Sequence, residues 1–351
     1  MVNKERDRLL ASIQRLNRLI LLMAFVIIAL AFYILCRPSF NLFNREHQAI
    51  TPYVEQHISP EDSAWRDAMI DTWIAPDLEA IKDISKKEIL LYGQELIAHT
   101  AKYYGPKGSI STTTNGLNCQ NCHLNAGTKP WGNNYSNVKY GYPKYRPRSG
   151  QIENIQKRIN DCFERSLNGK AIPNDGKEMK AIIAYMHFLG SNTKKGETPK
   201  GSGIYSLPFL NRAASPEKGK LVYDQKCASC HGTNGQGQLN PDGIEYTYPA
   251  VWGANSYNQG AGLYRISRLA GYVKYNMPFG VSIETPQLSD EEAWDVAAFI
   301  NSQEHPSKDI SKDWPKIQEK PIDHPFGPFS DQFSEKQHKF GPFKPIKKAK
   351  K

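Results

Sequence analysis

The chain has 351 residues, of which 23% are charged and 39% apolar, with six cysteines and a formal net charge of +10 at pH 7. That length suits two small domains with extensions. The charge sits at the ends, five Lys/Arg against two acids in residues 1–18 and seven lysines against Glu335 in residues 335–351. The body is close to neutral, which leaves no basis for a nucleic-acid function.

The basic segment 1–18 precedes residues 19–36, LILLMAFVIIALAFYILC, a run of 18 residues without a charge. As a helix rising ~1.5 Å per residue it spans ~27 Å, close to the thickness of a bilayer core. Arg15 and Arg18 ahead of it predict a cytoplasmic N-terminus and put the rest of the chain on the far side, in the periplasm. Ala29-Leu30-Ala31 is an acceptable signal-cleavage site. Phe32-Tyr33-Ile34-Leu35 nevertheless continues the apolar run where a processed signal turns polar, so the segment reads as a retained anchor. Cys36 at its edge reads as an inert thiol. Residues 37–84 form a periplasmic extension without an assignable function, with a short helix expected over 64–73.

A helix-like run over 88–97 opens the first domain, 85–192, which closes with an apolar-periodic helix over 178–189. Gly190 and the Ser, Thr, Lys and Gly-rich stretch through Gly203 read as a linker, assigned to 193–214. The second domain, 215–303, starts with the helix signal Ser215-Pro216-Glu217. Each domain carries one copy of Cys-x-x-Cys-His: Cys119, Cys122 and His123 in the first, Cys227, Cys230 and His231 in the second. Two thiols so spaced add to the vinyl groups of a haem while the adjacent imidazole becomes the iron's proximal ligand. The motifs therefore predict two covalently bound haem c groups, a chemistry carried out beyond the bacterial cytoplasm, as the anchor requires. Zinc is the competing reading, but the two pairs lie too far apart for a zinc ribbon, which has no use for a histidine after each pair. The tail, 304–351, is rich in Pro, Phe, Gly and Lys and reads as disordered and solvating rather than as a docking device.

The closing helices align when Tyr185 is set against Phe299, so the halves share one plan. The fold class is all-α: two cytochrome c domains in tandem, preceded by an N-terminal transmembrane helix. Electron carriers usually close the far side of the iron with a methionine thioether. In the second domain Met277 is placed for that role, with packing as its alternative and Lys274 as a competing amine ligand. Its offset from Phe299, counted back from Tyr185, lands beside Cys162, while Met179 and Met186 read as core. Cys162 is then either a buried inert thiol or the substitute ligand. Residues 151–167 read as a helix with Ile152, Ile155, Ile159 and Phe163 on one face. Arg158, Cys162 and Ser166, each four apart, form the adjacent stripe. Arg148 lies just upstream. An arginine beside a cysteine favours the thiolate and offers forked donors to an oxyanion, whereas Arg165 reads as a solvated face.

Residues 158–170, Arg-Ile-Asn-Asp-Cys-Phe-Glu-Arg-Ser-Leu-Asn-Gly-Lys, closely resemble the signature of the tetrathionate-forming thiosulfate dehydrogenases, a family of dihaem c-type cytochromes. Tyr104-Gly105-Pro106 and the run from Asn118 to His123 are similar too, and the likeness covers about residues 85–303. The resemblance implies that Cys162 ligates the active-site haem and that Arg148, Arg158 and Ser166 meet the substrate. Where some members have a lysine before the second haem's methionine, this chain has Asn276, which puts a lysine-to-methionine switch in doubt. The implied chemistry is 2 thiosulfate to tetrathionate plus two electrons, or the reverse. Two dianions brought to ~4 Å repel by roughly 4 kcal/mol even in bulk water, so the geometry demands arginines. Cys162 is expected to leave the iron and hold one thiosulfate as a sulfur adduct. Electrons then pass through the second haem to an external partner, another c-type cytochrome. A non-catalytic dihaem electron-transfer cytochrome, or a dihaem peroxidase, are the alternatives; the second needs a catalytic acid that the sequence does not offer.

The mature chain is expected to fractionate with the bacterial inner membrane as a single-pass protein, released by protease acting from the periplasmic side. A soluble mature chain beginning at Phe32 would show instead that the segment is a cleaved signal.

Overall fold

The computed structural model describes residues 71–350, together with residue 18 and residues 22–24. The chain divides into two units, residues 1–59 and 60–351. In the first unit, residues 18 and 22–24 are helical and exposed. The rest of the expected anchor over 19–36 lies outside the described residues, as do residues 37–70 of the expected extension with most of the helix expected over 64–73. No helix among the described residues is long and apolar enough to cross a membrane.

In the second unit, helix α1 (Ile84–Ala98) starts where the Asp83 carboxylate accepts the Lys86 amide. A hairpin follows the first Cys-x-x-Cys-His turn, β1 (Lys144–Arg146) pairing antiparallel with β2 (Gln151–Glu153). Helix α2 (Ile155–Arg165) and helix α3 (Lys177–Leu189) complete the first domain. The expectation of one helix over 151–167 is corrected at its start. Gln151–Glu153 is a strand, Asn154 caps α2 by accepting the Lys157 amide, and Ile152 is 75% exposed, off the apolar face. The turn at Gly150, with φ 66°, decides this by sending residues 151–153 back along β1.

The second domain comprises α4 (Pro216–Lys226), a small ladder of β3 (Gln238–Leu239) on β4 (Tyr246–Tyr248), α5 (Ile266–Asn276) and α6 (Asp290–Ser302). Its core holds Tyr223, Ile266, Ala297 and Trp294, and that of the first holds Ile97, Phe163, Met179 and Tyr185. In both domains the first helix meets the last at a glycine. A β carbon at Gly93 of α1 would lie 2.1 Å from the Ala181 carbonyl oxygen of α3, and one at Gly219 of α4 would lie 1.9 Å from the Asp295 carbonyl oxygen of α6. At each crossing the next neighbour is the aligned aromatic: the β carbons of Tyr185 and Phe299 both lie 2.8 Å from the position a glycine β carbon would take.

The segment expected as a linker is pinned rather than loose. Gly201 and Gly203 carbonyls accept the Trp131 and Asn133 amides of the first domain, and Ile204 and Leu207 are buried in the core of the second. The expectation of a disordered tail is overturned. Helix α7 (Glu335–Phe340) and helix α8 (Phe343–Ala349) are formed, and Phe343 and Ile346 are buried in the second domain's core. The Phe343 ring lies 5.4 Å from Phe209 and 5.7 Å from Trp294. Composition pointed to disorder because lysines dominate it, yet Lys344, Lys347 and Lys348 of α8 are exposed while two apolar residues three apart insert.

Phe343→Ala is expected to destabilise the second domain by about 3–5 kcal/mol, the usual cost of emptying a buried aromatic site, measured by denaturant unfolding. A change below about 1 kcal/mol would mean that the tail is not part of that core.

Candidate functional site

The first Cys-x-x-Cys-His turn is fixed from both sides. Asn118, which precedes it, accepts the Ala101 amide at 2.8 Å and donates to Glu245 of the second domain at 2.9 Å. Tyr272 of α5 donates its hydroxyl to the Asn121 carbonyl at 2.7 Å. His123 lies 2.5 Å through Nδ1 from the Asn133 carbonyl and stacks on Tyr135 at 4.6 Å between centroids. In the second motif His231 Nδ1 lies 2.8 Å from the Pro249 carbonyl. A carbonyl only accepts, so in both rings Nδ1 carries the proton and Nε2 keeps its lone pair for a metal. Burial pushes the His123 imidazole down to about 4, so at neutral pH it is in the neutral, ligating form.

A cavity of about 250 Å³ opens beside this histidine. It is lined by Cys119, Cys122 and His123, by Arg158, Cys162 and Ser166 from the end of α2, and by apolar Leu117, Phe163 and Ile182. The stripe of residues four apart therefore does face the first motif. Met179 is fully buried core, whereas Met186 lines the cavity as well. Two thiols, an imidazole whose Nε2 keeps its lone pair and meets only the Asn133 side-chain amide at 3.4 Å, and apolar walls fit a covalently attached haem, and Cys162 offers a sulfur donor from a different element.

Helix α2 is held at both ends. Beyond the Asn154 cap, its last carbonyls go to the second domain: Asn258 donates its amide to the Arg165 carbonyl at 3.1 Å and its side chain to the Glu164 carbonyl at 2.9 Å. Arg158 is held above its ordinary range, first by the neighbouring Cys162 and further by Tyr142, Asp161 and Glu153, against its own burial. It makes no ion pair among the described residues. Arg148 does not line the cavity; its guanidinium donates to the Gly260 carbonyl at 3.2 Å. Burial first, then the like charges of Arg165 and Arg158, bring Arg148 down to about 10. Arg165 is corrected from a solvated face to a buried, two-pronged pair with Asp313, both N···O distances being 2.8 Å.

Met277 ends α5 and packs, with Cys227, against the second domain's core. Lys274, the competing amine, is occupied: its Nζ donates to the Leu288 carbonyl and pairs with Asp290 at 3.1 Å. Asn276 donates to the Trp131 carbonyl at 3.2 Å. Sequence reasoning missed Arg146 and Tyr142, which line the cavity, and Asn133, which orients His123. Arg146 stands in the same loop as Arg148, and nothing in the sequence chooses between them.

Two helical domains, each with this motif and an oriented imidazole, define a two-domain c-type cytochrome. The family model for cytochrome c matches residues 216–304, and that for the SoxA/TsdA cytochrome c domain matches residues 110–194. The chain is 38% identical over 243 residues to the thiosulfate dehydrogenase of Psychrobacter arcticus, covering 68% of this chain and 71% of the relative. It is 39% identical to that of Allochromatium vinosum, covering 55% of this chain and 71% of the relative. The solved thiosulfate dehydrogenase (TsdBA) of Marichromatium purpuratum, in its as-isolated form, superposes with a TM-score of 0.62 at 29% identity, over 68% of this chain. This chain spans about half, 51%, of the length of that solved chain. The chain belongs to the thiosulfate dehydrogenase family.

Denatured protein is expected to retain two covalently bound haems per chain by pyridine haemochrome assay, and the Cys227→Ala, Cys230→Ala double variant one. A protein that binds zinc and no haem would contradict the fit of both motifs.

Proposed function

We propose that this chain interconverts thiosulfate and tetrathionate, as a dihaem cytochrome c held on the periplasmic side of the bacterial inner membrane by residues 19–36. The observation that carries this reading is the shared cavity, in which Arg158, Cys162 and Ser166 stand with the first motif's thiols and imidazole. His123 and Cys162 would hold the first iron, and His231 and Met277 the second. When bound, the haems take up the two electrons released as the sulfur–sulfur bond forms and pass them to an external partner, another c-type cytochrome.

The protein's own part is electrostatic. Arg158 on the cavity wall and Arg148 outside it are half-buried and make no carboxylate ion pair among the described residues, and the Arg158 charge helps bring Arg148 down. Such charges are costly to bury unless an anion meets them. Two thiosulfates need that field, because they must approach sulfur to sulfur against their own repulsion. Ser166 adds a hydroxyl donor on the cavity wall. With the haems bound to take up two electrons, Cys162 would join one thiosulfate sulfur to sulfur, and attack of the second thiosulfate on the adduct's sulfur would form tetrathionate and return the Cys162 thiolate. A pure electron carrier has no use for an arginine without an ion-pair partner on the wall of its haem cavity.

Purified protein is expected to turn over thiosulfate with an oxidant, or tetrathionate with a reductant. Cys162→Gly should keep both haems yet lose about a hundredfold or more of turnover, and Cys162→Met should give carrier-like spectra with the same loss. Arg158→Gln should leave the haem spectra unchanged while lowering kcat/KM about ten- to a thousandfold, the cost of removing one such donor. Wild-type turnover in Cys162→Gly would make the cysteine structural and overturn the mechanism.

A further inference from the structure

Beyond residue 304, outside both family models, the chain returns to the first domain and runs along its hairpin. The contacts follow one another in order. Asp313 takes both ends of the Arg165 guanidinium. The Trp314 amide donates to the Arg148 carbonyl at 2.6 Å, and the Arg148 guanidinium lies 5.7 Å from the Trp314 ring. Pro315 fills the space over Gly150, where a β carbon would meet it at 2.6 Å. Glu319 accepts the Tyr145 hydroxyl at 2.7 Å.

Two features single out Trp314. Its φ is 61°, a left-handed conformation that a bulky side chain adopts only where its surroundings impose it. Its indole Nε1 is buried without a hydrogen-bond partner, although an indole usually finds one. The segment thus accepts backbone strain and an unmet donor in order to hold a ring and an amide against Arg148. Asp313 meanwhile pairs directly with Arg165 and acts on Arg148 only at longer range, so the segment decides which of two neighbouring cations is available to an anion.

We propose that residues 313–319 form a strap whose role is to position Arg148 for the anionic substrate, with Asp313 and Trp314 as positioning residues that do not touch substrate themselves. The inference rests on the thiosulfate reading above. Losing the Asp313 charge releases Arg165 to repel and displace Arg148; losing the Trp314 ring removes the surface on which the Arg148 guanidinium lies.

The test is thiosulfate binding to the oxidised dihaem protein by calorimetry, with steady-state turnover alongside, on wild type and four variants. Asp313→Asn and Trp314→Ala are expected to raise Kd and KM about ten- to a hundredfold with kcat nearly constant and haem spectra unchanged. Trp314→Phe, which keeps a ring and the backbone amide, should stay close to wild type. The double variant Asp313→Asn, Arg165→Gln should cost no more than Asp313→Asn alone, because the pair acts as a unit. Lowered melting temperatures with unchanged Kd and KM in both single variants would show a merely structural strap and overturn the proposal, and if Trp314→Ala does not fold, Asp313→Asn decides alone. Wild-type protein that neither binds nor turns over thiosulfate would overturn the thiosulfate reading and the strap with it, a pattern distinct from failure of the strap alone.

Discussion

In each domain the first and last helices approach until a carbonyl of one occupies the space a β carbon of the other would need, at Gly93 on Ala181 and at Gly219 on Asp295. The rest of both domains depends on that contact. It brings the aromatic of the closing helix, Tyr185 or Phe299, down onto the glycine, and in the first domain it sets α1, which leads into the Cys-x-x-Cys-His turn, against α3, whose Ile182 and Met186 wall the cavity. Any side chain at either glycine has to drive two helices apart, and close-packed interiors do not absorb such a displacement locally.

On this frame the first domain builds an excess of positive charge that it does not cancel. Of its three neighbouring arginines, Arg165 has a dedicated carboxylate in Asp313, while Asp161 is taken by Lys157. Arg148 and Arg158 make no direct ion pair among the described residues and feel Asp161 only at longer range. The second domain carries no comparable cluster at its methionine, where Lys274 is already committed to Leu288 and Asp290. The difference between the domains is therefore electrostatic as much as a matter of which sulfur, that of Cys162 or that of Met277, each offers.

The haem-attachment residues were legible because that chemistry needs contiguous residues, and Cys162 because the repeat supplies an offset from Met277. Other features were not. Residues 151–153 share helical apolar spacing with Ile155, and a turn at Gly150 with a cap at Asn154 made them a strand. Arg165 falls on the polar side of α2, which periodicity assigns to water; what buries it is a carboxylate far along the chain. The tail misled in the same way, since composition averages over lysines and hides the two residues, Phe343 and Ile346, that anchor it. In each case the deciding partner was distant in sequence, and local pattern carries no trace of it.

The clamping of α2 bears on what can move. With Asn154 at one end and Asn258 of the second domain on the carbonyls at the other, the helix cannot slide or tilt without breaking contacts between domains. Any displacement of the Cys162 sulfur is then a rotation about its own side-chain torsion, a hop between staggered wells over a fixed backbone. Such a hop takes nanoseconds or less where a side chain is free to turn, against the millisecond or longer cycle of a typical enzyme. A thiol mounted in this way resembles a switch on a rigid post, able to turn many times within one such cycle.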